Sequence, residues 1–309
     1  MTQSKKIKQT FIVLLTKVLL RSFSGFSLKN YHRFGAAFGW LTSVTSNRNQ
    51  FVTATNIALC FPEMKPEQQQ QLIKKSLIET GKTAAELIPM WQWNKEKLFN
   101  SIKSVKGEEL IQQAVTNNQG VILAIPHLGN WEMLGLYAAD KYPTTSMYQK
   151  PKISQLDSII KNGRQRFGAK LVPTDNQGVR AMLKALKNNE LVCILPDQEP
   201  GEGNGVFAPF FSIQAYSMSL ISRFAKKTGA IVLMSYCKRL ANGEGYEIIF
   251  SPLDKINQGS MQESVAYLNE EIEKCIRDLP EQYQWSYKRF RRQPEIKDKR
   301  ITGKDFYNP

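Results

Sequence analysis

The sequence is poor in the residues that hold metal ions or form disulfides. Among its 309 residues there are two histidines and four cysteines. The cysteines, at positions 60, 193, 237 and 275, lie far apart and form no Cys-x-x-Cys pair. Structural zinc sites need closely spaced Cys and His ligands, and disulfide frameworks need several cysteines in a short chain. The sequence therefore argues against both, and we predict buried thiols and no bound metal.

Two motifs that would indicate other enzyme classes are also missing. The chain has no Gly-x-Ser-x-Gly segment, which argues against a serine hydrolase of the nucleophile-elbow type. Gly81-Lys82-Thr83 resembles the end of a phosphate-binding loop, but Ser76 stands where that loop needs a glycine. Helical periodicity runs through the surrounding residues, so we predict a helix from about Pro66 to Met90 instead.

Acidic residues are outnumbered. The chain has 42 Lys and Arg against 27 Asp and Glu, which gives a net charge of +15. This balance favours polyanionic partners such as nucleic acid, anionic lipid headgroups or phosphorylated substrates. No recognised nucleic-acid motif accompanies the basic residues, so we expect no nucleic acid partner. A non-catalytic binder of a polyanion is an alternative that rests on charge alone.

A long, uninterrupted apolar run is also missing. Residues 5–23 are basic and apolar, but Lys17 and Arg21 interrupt them, and a spanning helix needs about 20 mostly apolar residues. No small-residue cleavage site follows, so a secretory signal is not predicted. On a helix, the charged and apolar side chains fall on opposite faces, which is typical of an interfacial or steeply tilted membrane anchor. The alternative is an amphipathic helix packed on the protein's own core.

Residues 34–45 are uncharged and rich in small and aromatic side chains. They either extend a membrane-facing surface or pack inside the protein. We therefore divide the chain into an N-terminal membrane-anchoring helical segment, residues 1–45, and a main domain, residues 46–309.

From residue 119 onward, short apolar runs alternate with helical stretches. The apolar runs lie at 121–125, 145–149, 170–174, 191–196, 230–236 and 246–250, and the helical stretches at 131–140, 153–167, 177–188, 214–228 and 260–279. This alternation predicts an α/β fold with a mostly parallel central sheet flanked by helices. In such folds, ligand and catalytic groups gather beyond the carboxyl ends of the strands.

The segment HLGNWE, residues 127–132, follows the first of these predicted strands and leads into a helix. His32 has no carboxylate near it in sequence, whereas His127 is followed by Glu132. A base that takes a proton from a hydroxyl becomes a cation, and a carboxylate on its far nitrogen orients the ring and stabilises that charge. We predict that His127 is the base and Glu132 this carboxylate. A histidine that only caps the next helix is the alternative, because the spacing alone is common by chance.

HLGNWE resembles the signature of the late acyltransferases of lipid A biosynthesis, a branch of the lysophospholipid acyltransferase superfamily that carries His-x4-Glu. Further blocks extend the resemblance over about residues 100–294: Tyr148 with Lys150-Pro151, Arg164 in KNGRQRFGAKLVP, LPDQEPGEGNGVFAPFF at 195–211, and QYQWSYKRFRRQP at 282–294. The chain departs from the family pattern at two positions. Ser212 stands where glycine usually follows Pro-Phe-Phe, and Tyr216 stands where a smaller residue is usual. Both departures are expected near the substrate pocket.

The resemblance implies an acyltransferase at the cytoplasmic face of a Gram-negative cell inner membrane. The reaction that the resemblance implies moves a fatty acyl group from an acyl carrier protein thioester to a hydroxyl of a lipid A precursor, which is a phosphorylated glycolipid. No metal or cofactor is expected, because the proton passes from the hydroxyl through His127 to the leaving thiolate. The alternative within this class is another phospholipid or glycolipid acceptor, or acyl-coenzyme A as the donor.

Four further residues are candidates for substrate binding. Asn130 is expected to donate a hydrogen bond in the site. Arg164 offers two parallel N–H groups to an acceptor phosphate, although a solvent-facing helix charge is the alternative. Asp197 and Gln198 follow a predicted strand. Three roles are open for them: they bind acceptor hydroxyls, they support the basic cluster, or they cap a turn.

Two other groups of side chains have open assignments. One group lines an acyl-chain cleft or belongs to the core: Phe207, Phe210 and Phe211. The other attracts anionic lipid and acyl carrier protein or forms a solvated tail. This C-terminal basic run comprises Lys288, Arg289, Arg291, Arg292, Lys297, Lys299 and Arg300.

Overall fold

A seven-stranded sheet lies at the centre of the molecule, whose computed structural model describes residues 18, 22, 25–151, 153–294 and 305–307. The strands in chain order are β1 (Ile102–Lys106), β2 (Val121–Ala124), β3 (Thr144–Tyr148), β4 (Lys170–Pro173), β5 (Leu191–Ile194), β6 (Gly205–Phe210), β7 (Ile213–Met218), β8 (Ile231–Arg239) and β9 (Tyr246–Pro252). The central sheet has the order β1-β9-β8-β2-β5-β3-β4, and β6 and β7 form a separate hairpin. Within the central sheet only β8 and β9 pair antiparallel. The predicted mostly parallel α/β sheet is confirmed.

Helices cover both faces of this sheet. In the described residues they are α1 (Leu28–Val44), α2 (Arg48–Cys60), α3 (Pro66–Gln92), α4 (Lys95–Phe99), α5 (Glu108–Thr116), α6 (Trp131–Lys141), α7 (Asp157–Gln165), α8 (Asn176–Lys187), α9 (Leu220–Thr228) and α10 (Met261–Asp278). Successive strand residues point to opposite faces. In β2, Val121 and Leu123 therefore share a buried cluster with α5 and α6, whereas Ile122 and Ala124 share one with α8, α9 and α10. Burial on both faces explains why β2 is apolar throughout.

The β6–β7 hairpin differs from the prediction, which placed a single helix at 214–228. The structure has a strand to Met218 and a helix only from Leu220. Burial alternates along β7, with Ala215 and Ser217 buried and Gln214 exposed, and this period of two belongs to a strand. Phe210 pairs with Ile213, so the turn has two residues, and both have positive φ, 50° at Phe211 and 65° at Ser212. Such two-residue hairpin turns favour glycine, which explains the family preference for glycine at the position of Ser212.

Helix α1 packs on α3 through glycines. An added Cβ on Gly35 would lie 2.6 Å from the carbonyl oxygen of Gly81, and one on Gly81 would lie 2.1 Å from the carbonyl oxygen of Gly35. The two backbones therefore approach too closely for any side chain at these positions. Gly81 and Lys82 of the motif that resembles a phosphate-binding loop lie inside α3, where the glycine serves helix packing.

The outer side of α1 exposes large apolar residues. Phe34, Phe38, Trp40, Leu41 and Val44 are each between 49% and 62% exposed. Residues 34–45 thus combine a packed glycine face with an exposed aromatic one. No helix in the described part of the chain is long and apolar enough to cross a membrane. The predicted amphipathic helix at 5–23 lies outside the described residues, apart from Val18 and Ser22.

Candidate active site

The turn that carries His127 lies beyond the carboxyl end of β2, between the strand and α6. Gly129 has a φ of 64°, and a Cβ there would lie 2.0 Å from the carbonyl oxygen of Cys237. Only glycine fits this backbone. Asn130 then caps α6, because its Oδ1 accepts from the backbone N–H of Met133 at 2.9 Å. The sequence HLGN therefore forms a tight turn that fixes where the imidazole leaves the backbone.

Asp197 holds this imidazole. Its Oδ1 lies 2.8 Å from His127 Nδ1, and its Oδ2 accepts from the backbone N–H of His127 at 2.9 Å. Asp197 follows β5, the neighbour of β2 in the sheet, so the two residues meet at adjacent strand ends. Burial opposes ionisation of Asp197, but the charge and hydrogen bonds of His127 outweigh it and bring the pKa of the carboxyl below its ordinary value. An ionised carboxylate has no proton to donate, so in the neutral imidazole Nδ1 carries the hydrogen and Nε2 has the lone pair.

Glu132 has a different partner from the predicted one. Its carboxylate accepts from Nε of Arg164 at 2.9 and 3.0 Å and also pairs with Nη2 of that residue. In this structure Asp197, and not Glu132, lies at Nδ1 of His127, so the predicted contact between Glu132 and the imidazole is replaced by the pair with Arg164. The reason is topological: Glu132 lies in the first turn of α6 and faces α7, where Arg164 lies in the last turn.

The Glu132–Arg164 pair is partly shielded from water. The side chain of Glu132 is 7% exposed and that of Arg164 is 34% exposed. Burial lowers the pKa of the guanidinium, but the carboxylate of Glu132 has the larger combined effect and raises it. Arg164 uses Nε and Nη2 for this pair, and no partner of its Nη1 is found among the described residues. Glu132 thus occupies two of the N–H groups that were predicted to bind a phosphate. The edge of the guanidinium that carries Nη1 remains for a ligand.

Gln198 lies at Nε2 of the imidazole, the nitrogen that Asp197 does not contact. Its Nε2 is 3.2 Å from His127 Nε2 and 3.3 Å from Oε1 of Gln284, to which it donates. The backbone N–H of Gln284 in turn donates to the carbonyl oxygen of His127 at 3.0 Å. The prediction that Gln198 belongs to the site is consistent with this contact. Gln284 lies in the block at 282–294 that resembles the family, but no role was predicted for it.

Asn130 faces the protein interior and not a substrate. It is 2% exposed, and its Nδ2 donates to Oε2 of Glu86 at 3.0 Å. With Oδ1 engaged in the helix cap, both polar atoms of this side chain have internal partners. The predicted hydrogen bond from Asn130 to a substrate is therefore corrected to a role in holding the turn.

Glu86, on α3, is the centre of a buried ionic cluster behind the turn. It accepts from Arg239 Nε at 2.6 Å and from the Tyr246 hydroxyl at 2.9 Å, and it lies 2.7 Å from His32 Nε2. Burial raises the pKa of Glu86, but the charge of Arg239 and these hydrogen bonds outweigh it and lower the pKa to about 2. The second histidine of the chain therefore belongs to this structural cluster.

A cavity of about 650 Å³ opens beside His127. Its polar lining includes His127, Glu132, Arg164, Gln198 and Arg223. Its apolar lining includes Leu136, Leu171, Val179, Ile194, Met218 and Leu220. A cavity of this size and mixed lining is typical of a site for a small or amphipathic ligand.

The aromatic residues considered for an acyl cleft lie elsewhere. Phe210 and Phe211 are buried, at 1% and 3% exposure, and they pack in the core with Phe61, Trp285 and Phe290. Phe207 contacts Tyr216 on the hairpin. Neither these phenylalanines nor the two departures, Ser212 and Tyr216, line the cavity beside His127.

The C-terminal basic run is partly internal. Arg289 is 3% exposed and donates to the carbonyl oxygen of Tyr216 at 2.9 Å. Arg291 and Arg292 lie 3.1 and 2.7 Å from the buried carboxylate of Glu199 in the loop after Asp197. These arginines therefore brace the loop that carries Asp197. Lys297, Lys299 and Arg300 lie outside the described residues.

Known proteins are similar to this chain over most of its length. The family described as bacterial lipid A biosynthesis acyltransferase matches residues 2–292. The chain is 27% identical over 266 residues to the lipid A biosynthesis lauroyltransferase of Escherichia coli strain K12, which covers 85% of this chain and 86% of that protein. The palmitoleoyltransferase of the same strain is 26% identical over 264 residues, 84% of each chain. Its myristoyltransferase is 23% identical over 258 residues, 82% of this chain and 78% of the relative.

Proposed function

Because this chain belongs to the family of bacterial lipid A biosynthesis acyltransferases and is therefore an acyltransferase, we propose that it moves a fatty acyl group from a thioester to a hydroxyl of a lipid A precursor. The observation that carries the mechanism is the hydrogen bond between Asp197 and Nδ1 of His127 at the wall of a cavity. It leaves Nε2 of His127 as the proton acceptor.

The proposed reaction proceeds by direct transfer. Nε2 of His127 takes the proton of the acceptor hydroxyl as the oxygen attacks the thioester carbonyl. The carboxylate of Asp197 stabilises the imidazolium that forms, and the amide of Gln198 lies beside the reacting nitrogen. The tetrahedral intermediate then collapses, the C–S bond breaks, and the thiolate takes the proton from His127. An ester and a free thiol result, so proton and acyl group balance without a metal, a cofactor or an acyl-enzyme.

Arg164 is the proposed binding group for a phosphate of the acceptor, with Glu132 as its positioning residue. A guanidinium held by a carboxylate keeps a fixed orientation. Its remaining N–H groups can then donate charged hydrogen bonds to the phosphate. In this proposal Glu132 contributes to activity through Arg164 and not through the imidazole.

Substitutions of this pair are expected to act as one unit. Glu132→Gln and Arg164→Gln should each raise the acceptor KM by about 10²-fold, and the double variant should be no worse than Arg164→Gln, because the second change removes a contact already lost. Steady-state kinetics with a phosphorylated acceptor measures this.

A dephosphorylated acceptor supplies the matched control. With it, wild type and Arg164→Gln should have the same KM. Additive losses in the double variant, or an Arg164 effect that does not depend on the phosphate, would contradict the assignment.

Acyl carrier protein is the proposed donor carrier, and the alternative is acyl-coenzyme A. An acidic carrier protein suits the strongly basic chain, which has a net charge of +15. The relatives are named for lauroyl, palmitoleoyl and myristoyl transfer in lipid A biosynthesis, which supports a lipid A precursor over another phospholipid or glycolipid.

Purified protein should be incubated with both donor types and with lipid A precursors, phosphatidic acid precursors and a neutral glycolipid. Mass spectrometry should find acylated lipid A precursor with the carrier-protein donor; an exclusive phospholipid product would overturn the proposal.

We place the protein at the cytoplasmic face of the inner membrane, with α1 lying on the lipid surface. Exposed Phe34, Phe38, Trp40, Leu41 and Val44 supply an apolar face. Residues 1–62 contain eight Lys and Arg and no Asp or Glu, so this part of the chain is attracted to anionic lipid. Exposed aromatic side chains next to basic residues are the usual means of interfacial binding.

Removing two of these side chains is expected to weaken binding to membranes. Phe38→Ser with Leu41→Ser should lower partition of the full chain onto vesicles that contain phosphatidylglycerol by about tenfold or more, because less apolar surface is buried. Both side chains are more than half exposed, so Tm should change little. Val115→Ser is the control, since Val115 is an exposed apolar residue on α5. Equal sedimentation of all three proteins with the vesicles would contradict docking through α1.

A further inference from the structure

Gly135 differs from the other glycines in the described helices. Those glycines lie against neighbouring atoms: a Cβ on Gly163 would lie 2.5 Å from the Trp91 ring, and one on Gly178 would lie 1.7 Å from the carbonyl oxygen of Pro173. A Cβ on Gly135 would meet no atom within 4 Å. Its φ is not positive, so the backbone does not require glycine either. Alanine would favour the helix more than glycine does, and the missing side chain therefore serves another purpose.

The open space at Gly135 is the cavity beside His127. Gly135 and Leu136 line the cavity from α6. Leu134 and Leu136 are 0% and 2% exposed, yet Gly135 between them is partly exposed, so its accessible surface faces this space. Gly135 lies eight residues after His127 in sequence and four residues, about 6 Å along the helix axis, beyond Trp131 at the start of α6.

The opposite wall of the cavity is a row across three strands. Ser146 of β3 pairs with Leu171 of β4 on one side and with Cys193 of β5 on the other, and all three line the cavity. Burial raises the pKa of the Cys193 thiol to about 12, so this residue is a neutral part of the wall. The space between α6 and this row is therefore bordered by small or apolar groups at these positions and at Gly135 and Leu136, although Glu132 of α6 also lines the cavity. His127 lines the same cavity.

We propose that Gly135 is a specificity-determining residue, whose missing side chain keeps this space open for the acyl chain of the donor. The inference rests on the proposed function. It commits the space to one occupant, the fatty acyl chain. The thioester carbonyl must lie beside the hydroxyl that binds at Nε2 of His127, and the chain attached to this carbonyl needs an apolar continuation of the same cavity. Bulk at position 135 narrows this space and shortens the longest chain that fits.

The test measures kcat/KM with acyl carrier protein donors from octanoyl to palmitoyl for wild type, Gly135→Ala and Gly135→Leu. Gly135→Leu should reduce kcat/KM for the longest chain that wild type accepts by about tenfold or more and leave the shortest accepted chain within about twofold. Gly135→Ala should give a smaller shift in the same direction. Both variants should have a Tm at least as high as wild type, because each is a better helix former than glycine. A stability defect would therefore not explain the loss.

Lys141→Leu is the matched control, since it adds the same side chain at an exposed position of α6 outside the cavity. Its donor profile should equal that of wild type. Unchanged chain-length profiles in both Gly135 variants would overturn the inference while leaving the proposed function intact. A rise in the acceptor KM alone in the Gly135 variants would also overturn the inference, because the space would then hold the acceptor and not the acyl chain. Absence of transfer by wild type from any donor would instead overturn the proposed function.

Discussion

Replacing His127 by glutamine is expected to lower kcat for acyl transfer on the order of 10³-fold, because the amide cannot accept the proton of the attacking hydroxyl. Glutamine keeps an N–H group that can donate to Asp197, so the buried carboxylate retains a partner and Tm should stay close to that of wild type. Rates are measured by mass spectrometry of the acylated acceptor. Turnover by His127→Gln at the wild-type rate would remove His127 from the mechanism.

His127→Ala serves as a second variant for this test. It should be as inactive as His127→Gln but less stable, because Oδ1 of the buried Asp197 then loses the hydrogen bond from the imidazole. Agreement of the two variants in kcat, with different Tm values, separates the loss of the base from the loss of packing.

Asp197→Asn is the second substitution with a large expected effect, a fall in kcat on the order of 10³ to 10⁴. In wild type both oxygens of Asp197 accept, one from the ring and one from the backbone N–H of His127. Asparagine has a single acceptor oxygen and adds an NH₂ donor, so the imidazole loses the partner that keeps hydrogen on Nδ1. Nε2 then carries a hydrogen in part of the population and cannot act as a base.

The comparison with Glu132→Gln decides which carboxylate serves the imidazole. If Asp197 does, Asp197→Asn should lower kcat at saturating acceptor far more than Glu132→Gln, whose main effect should be on the acceptor KM. If kcat falls by the same amount in both variants at saturating acceptor, Glu132 also acts on the reacting atoms and the assignment of roles is wrong.

The position of the candidate site could be predicted from the sequence. His127 comes directly after an apolar strand, and glycine and asparagine turn the chain into the next helix. These are local features, and local features determine that the side chain lies beyond the carboxyl end of β2. The same reasoning predicts that Asp197, which follows β5, lies beyond the carboxyl end of that strand. Its contact with His127, however, depends on β5 being the neighbour of β2 in the sheet.

The pairing of side chains could not be predicted, because it depends on strand order and on the faces that helices cover. β2 and β5 are adjacent although β3 and β4 lie between them in sequence, and this brings Asp197 to His127. Helices α6 and α7 pack on the same side of the sheet, and this brings Arg164 to Glu132. Glu86, 44 residues before Asn130, carries no sequence signal of its contact with the turn.

Strand β7 differs from the helix predicted at 214–228 for a different reason. Ile213, Met218 and the apolar residues of α9 form one series that fits both periodicities over a short segment. Only the two-residue turn at Phe211 and Ser212 separates the alternatives. Phe211 is not a usual turn former, and neither it nor Ser212 favours the positive φ that both adopt here, so the sequence did not indicate this turn.

The most direct test of the central claim is the mass spectrum of lipid A from the source bacterium with and without this gene. We expect deletion to remove the mass of one fatty acyl chain from lipid A, wild type on a plasmid to restore it, and His127→Gln to fail to restore it at equal protein abundance. Lipid A of unchanged mass after deletion, or full restoration by His127→Gln, would contradict the assignment of this protein as a lipid A acyltransferase that acts through His127.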